Sequence, residues 1–139
     1  MRQWGIVSEY PPYLNIKLKR AIIMSYFELL DKGEIRELWV SGSITKNPSG
    51  TAGYAIVHNY VPLKSEVCPE ATSNNAVELV AIREALRFGA GRGLETIYSS
   101  SNYAVKGLMH DIQHWSRNDW KKTDGKPIKN KELVMRITC

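Results

Sequence analysis

Apolar residues recur at helical spacing in two stretches of the 139-residue chain. Val77, Val80, Ala81, Ala85 and Phe88 form one stripe, which predicts a helix from Asn74 or Asn75 to Phe88. Ser73 or Asn74 can cap its start, and Gly89, Gly91 and Gly93 end it. Leu18, Ile22, Tyr26, Leu29 and Leu30 form the other stripe and predict a helix over 16–32, with Gly33 as its C-cap. Glu37–Ser43 (ELWVSGS) and Thr51–Asn59 (TAGYAIVHN) read as strands, and the turn residues Asn47-Pro48-Ser49-Gly50 make them a hairpin. A third strand is expected within Leu63–Cys68 and a fourth over Glu95–Ser99. Residues 101–115 read as one or two short helices, Lys121–Lys131 as a basic loop around Asp124-Gly125, and a last helix starts near Asn130. Residues 1–13, aromatic and carrying Pro11-Pro12, read as an extended arm. The order is that of an α/β domain with a mixed sheet.

Composition narrows what such a domain can do. Hydrophobic residues make up 43% and charged residues 24%, ordinary globular values, and no apolar run approaches the roughly 20 residues of a membrane span. The net charge of +5 is unevenly placed. Residues 104–139 hold eight basic and four acidic side chains, whereas residues 38–103 hold five of each. The basic excess is interleaved with Trp115 and Trp120, a mixture suited to neutralising phosphates or simply to a solvated loop. Cys68 and Cys139 are too few for a disulfide framework or a zinc cluster, and no signal sequence is visible, so an intracellular setting in an unspecified compartment is expected.

Four local strings, in order, carry a resemblance. WVSGSITKNPSGTAGYAIV at 39–57, SNNAVELVAIREAL at 73–86, IYSSSNYAVKGL at 97–108 and HWSRNDWKKTDGKPIKNKEL at 114–133 resemble the first hairpin, first helix, fourth strand and basic handle of type 1 ribonuclease H. That family cuts the RNA strand of RNA/DNA hybrids. The resemblance implies a ribonuclease H-like mixed sheet flanked by helices over 37–139, preceded by an N-terminal arm and helix over 1–36. It also implies that the fold is cut short at its C-terminal end, without the family's fifth strand and final helix. The fourth strand then becomes an edge, which the N-terminal segment or a partner protein is expected to cover.

The family's hydrolysis uses two magnesium ions roughly 4 Å apart, held by four acidic residues that offset the charge of the metal pair. Carried over position by position, the first acid falls on Ser41, the second on Glu78 and the third on Ser100, and the fourth falls beyond Cys139. One carboxylate of four is present, so no metal is expected to bind, with magnesium the cofactor only if the domain is an enzyme. The positions that read the hybrid are better kept. Asn74 and Asn75 stand where the family contacts the minor groove, although an asparagine there can also cap the helix. Asn47 resembles a position that touches the RNA strand, or is a plain turn residue. Arg117, Lys121, Lys122, Lys126 and Lys129 are the candidate phosphate contacts of the handle.

The sequence therefore reads as a catalytically inactive ribonuclease H-like module that binds RNA/DNA hybrid or structured RNA, or forms a structural part of a ribonucleoprotein assembly. The alternative is a hybrid-cleaving ribonuclease H seen in an active-site-mutated or split form. A third reading is a scaffold whose basic patch meets an acidic protein.

Overall fold

The computed structural model describes residues 5–7, 35–45 and 50–138. The helix expected over 16–32 and the turn residue Asn47 lie outside them. Among the described residues one five-stranded mixed sheet carries the fold: β1 (Gly5–Val7), β2 (Glu37–Ile44), β3 (Ala52–His58), β4 (Val61–Val67) and β5 (Thr96–Ser99), arranged β1-β5-β2-β3-β4. The predicted hairpin is β2 and β3, antiparallel from Trp39↔Val57 to Ile44↔Ala52. β4 continues the meander antiparallel to β3 and starts two residues before the sequence suggests, at Val61. Pro62 is accommodated because β4 is an edge strand, where a missing N–H costs no ladder bond.

The helix α1 (Asn74–Gly89) covers one face of the sheet. Ser73 is its N-cap, its hydroxyl accepting from the Ala76 N–H at 3.1 Å. The buried side is wider than the predicted stripe: Ala76, Leu79 and Ile82 join Val77, Val80, Ala81 and Ala85, while Phe88 is only half-buried. Leu38 and Val40 of β2, Tyr54 and Ile56 of β3, and Ile97 of β5 alternate inward to complete this core. On the opposite face Trp39 stacks on Tyr98, rings 4.5 Å apart and 9° from parallel, tying β2 to β5.

Of the two coverings expected for the fourth strand, the N-terminal segment is the one found among the described residues, its extended residues pairing as a strand. β5 pairs in parallel with β2 on one side and with β1 on the other, through Gly5↔Thr96, Ile6↔Ile97 and Val7↔Tyr98. The arm thus supplies the outer strand along Thr96–Tyr98, since an unpaired row of N–H and C=O groups there is satisfied by any extended segment within reach. After β5 the chain forms α2 (Asn102–Lys106), a π-helical turn (Gly107–Asp111) and α3 (Ile112–Arg117), so the predicted short helices are joined by one wide turn. The last helix, α4 (Lys131–Thr138), buries Val134 and packs near α1.

Candidate nucleic-acid interface

Three elements converge where β5 ends beside the middle of β2. Val40 is the register partner of Ser99, so Ser41 and Ser100 are the next residues on neighbouring parallel strands. α1 brings Glu78 to the same corner because Gly42 lets it approach. A Cβ on Gly42 would stand 2.9 Å from the Val77 carbonyl oxygen, and the Gly42 N–H donates to the Glu78 carboxylate. Ser41 and Ser100 are exposed, whereas the Glu78 side chain is half-buried, its Oε2 enclosed without a hydrogen-bond partner. Burial pushes the Glu78 pKa up from the usual carboxylate range, and the Gly42 N–H only partly offsets it. The structure therefore brings together the three positions that the sequence singles out. What sequence reading missed is Gly42, inside β2, whose close contact with α1 has no marker along the chain.

The serines beside Ser100 are committed to the backbone. Ser99 is fully buried and its hydroxyl accepts from the Ser101 N–H at 3.1 Å; the Ser101 hydroxyl caps α2 by accepting from the Ala104 N–H at 3.1 Å. Glu84 faces another direction and is held by Lys64, Arg83 and Arg87. Asp111 pairs with Lys106 and Asp119 with Lys121, both away from the corner.

A pair of divalent cations needs oxygen donors with enough negative charge to offset four positive charges at close range. Among the described residues, Ser41, Glu78 and Ser100 offer one carboxylate and two hydroxyls. Among the described residues no group of three or more His, Cys, Asp or Glu side chains could hold a metal ion. The donor set present does not fit two magnesium ions.

The asparagine pair and the handle leave polar and basic side chains exposed to solvent. With Ser73 serving as the cap, the Asn74 and Asn75 side chains are exposed at the start of α1 and released from the capping role. The handle begins at α3 and is stiff rather than a free loop. The Trp120 N–H donates to the Trp115 carbonyl at 2.7 Å, the Lys122 N–H to the Lys126 carbonyl at 2.7 Å, and Lys121 bridges Pro127. Asp119 and Trp120 both have positive φ, 53° and 58°, which turns the chain sharply out of α3. Trp115 and Trp120 are half-buried against the core, Trp115 lying over Gly107 of the π turn, so neither ring is an open stacking platform. Tyr103 ties down the far end, donating to the Lys129 carbonyl at 3.3 Å and accepting from the Asn130 amide at 3.1 Å. On this frame Arg117, Lys121, Lys122, Lys126 and Lys129 are all exposed. Lys121 and Lys122 sit 3.5 and 3.8 Å from Asp119 and Asp124. Arg117, Lys126 and Lys129 make no ion pair among the described residues.

A mixed sheet with a helix packed on the β2–β3 hairpin, an acid brought to the end of its central strand and a basic handle beyond β5 defines an RNase H-like domain. A family model described as RNase H matches residues 34–139, and the chain belongs to that family. It is 36% identical over 111 residues to the ribonuclease H of Hyphomonas neptunium, an alignment covering 78% of this chain and 73% of the relative. It is 33% identical over 106 residues to the ribonuclease H of Parvibaculum lavamentivorans, covering 75% and 70%. The fold is similar to the solution structure of the PFV RNase H domain, with a TM-score of 0.59 and 21% identity over 74% of this chain and 69% of that one. No described helix is long and apolar enough to cross a membrane.

Proposed function

We propose that this domain acts on RNA/DNA hybrids, holding them between the corner at Ser41, Glu78 and Ser100 and the basic handle. The observation that carries this reading is the pairing of Asn74 and Asn75, freed by the Ser73 cap, with a rigid frame of five exposed cations. The asparagines suit base edges and sugar hydroxyls in a wide minor groove, and the cations suit the phosphates beyond it. Asn47 belongs to the same proposal as an RNA-strand contact. A structural place in a ribonucleoprotein has no comparable support.

On the chemical step two observations pull apart. The relatives named above are ribonucleases H, which supports hydrolysis of the hybrid's RNA strand better than binding alone. The corner's donor set supports binding without hydrolysis, because one carboxylate does not hold the metal pair that this chemistry uses. A hybrid-cleavage assay with magnesium and with manganese decides between them. Turnover above a Glu78→Gln control establishes the enzyme and overturns the binding-only reading. No turnover, with salt-dependent hybrid binding intact, establishes the reverse. Absence of any salt-dependent affinity for the hybrid overturns the proposal as a whole.

A further inference from the structure

The corner's disagreement with a metal pair has a consequence for how a hybrid is bound, and it rests on the reading that this domain engages hybrids. Several acids gathered at a nucleic-acid surface repel the phosphates that approach them, and divalent cations are needed to bridge like to like. At this corner that repulsion is largely missing. Ser41 within β2 and Ser100 just past the end of β5 carry exposed hydroxyls on neighbouring strands, able to donate to a phosphate oxygen. Glu78, half-buried beside them and receiving the Gly42 N–H, is the one carboxylate of the three positions, while the Glu66 carboxylate of β4, which lines a shallow groove with Ser41, accepts from the Tyr54 hydroxyl at 3.1 Å. The handle's cations stand on a frame with no acidic counterpart for Arg117, Lys126 or Lys129 among the described residues.

We infer that this domain binds RNA/DNA hybrid without a divalent cation, the backbone phosphate at the corner being received by the Ser41 and Ser100 hydroxyls instead of through a metal bridge. Magnesium then acts only as a counterion that competes with the handle's lysines. At matched ionic strength it leaves the affinity unchanged or lowers it slightly.

Fluorescence anisotropy with a labelled hybrid duplex tests this, using the full chain in a chelator and in millimolar magnesium at equal ionic strength. The expected dissociation constants agree within about twofold. Loss of about tenfold or more in the chelator would show a bridging metal and overturn the inference, while binding in magnesium alone would leave the hybrid-directed reading intact. Equal lack of binding in both conditions would instead remove the reading on which the inference rests. The double variant Ser41→Asp, Ser100→Asp is expected to weaken binding in the chelator by about tenfold through like-charge repulsion, with magnesium restoring part of the loss. Ser41→Asn with Ser100→Asn matches that variant in size without the charge. It is expected to bind several-fold more tightly than the aspartate pair in the chelator, and equal weakening of the two would point to bulk and overturn the charge argument. Circular dichroism melts of both variants establish that the comparison is between folded proteins.

Discussion

The corner formed by Ser41, Glu78 and Ser100 and the handle from Arg117 to Lys129 lie on the same domain yet are built in opposite ways. The corner is positioned by the core: register fixes the two serines, and the close approach at Gly42 fixes Glu78. Its backbone is held by strand register and by α1, but among Ser41, Glu78 and Ser100 only one side chain can carry charge. The handle is positioned by a few turns and one tyrosine tether, and its side chains carry most of the basic excess. The difference teaches that geometry and charge are separable inheritances. A fold can fix where side chains meet independently of the charge those side chains carry, because placement is enforced by buried neighbours that do not depend on them.

The sharpest way to break the comparison is to attack placement. Gly42→Val forces a branched side chain against the Val77 backbone and is expected to destabilise the domain by roughly 3 kcal/mol in urea unfolding, larger than any handle substitution. An unchanged unfolding midpoint would mean that β2 and α1 are not locked together at this point. Next in size, Lys121→Ala with Lys122→Ala and Lys126→Ala is expected to leave the melt nearly unchanged. Hybrid affinity should fall by about 10-fold or more, with a salt dependence shallower by up to about three phosphate contacts. An unaltered salt slope would move the phosphate contacts elsewhere.

Smaller effects refine the picture. Glu78→Gln removes a carboxylate whose charged form is disfavoured by burial, so a rise of a few degrees in melting temperature at neutral pH is expected. A fall would mean that the charge is stabilised by contacts beyond the Gly42 N–H. The smallest change concerns an ion pair outside both sites, further along α1. Arg83 is buried and binds the half-exposed Glu70, holding that carboxyl below its ordinary pKa. A depressed carboxylate contributes stability above its unfolded pKa of about 4.3 and loses it as pH falls through the lower folded value. Glu70→Gln should therefore cost at most about 0.5 kcal/mol near neutral pH, and nothing at pH 2, in denaturant titrations at the two pH values. Equal losses at both would show a packing effect in place of an ionic one.

Much of this arrangement was legible from residues alone. The hairpin showed itself because strand residues flank a run of four turn formers, and α1 because its apolar spacing is long and uninterrupted. The asparagine pair and the lysines stood out because they cluster in short strings with a recognisable order. Other features were hidden for physical reasons. Gly5-Ile6-Val7 is too short to show any period, and its partner begins far along the chain at Thr96. The π turn inserts its extra width without a proline or any other marker. Which of Ser73 and Asn74 caps α1 depends on backbone angles, with Ser73 at φ −145° and ψ 160°, and only that outcome releases both asparagines. The contact of Gly42 with Glu78 joins residues on different elements and has no linear signature.

The outer strand β1 has a consequence for the order in which the domain assembles. Its hydrogen-bonding partner β5 is made only after the hairpin, β4 and α1, so a strand synthesised before all of these is among the last to find its place. Pairing at such sequence separation must overcome a large loop-closure entropy, which the local β2–β3 turn avoids. Hydrogen exchange during refolding should accordingly protect the amides shared by β2 and β3 before those shared by β1 and β5. Simultaneous protection would show that the arm docks as part of the nucleus. Until that late pairing, the growing domain carries an open sheet edge, and the interval is when a neighbouring copy's first strand could take the same place.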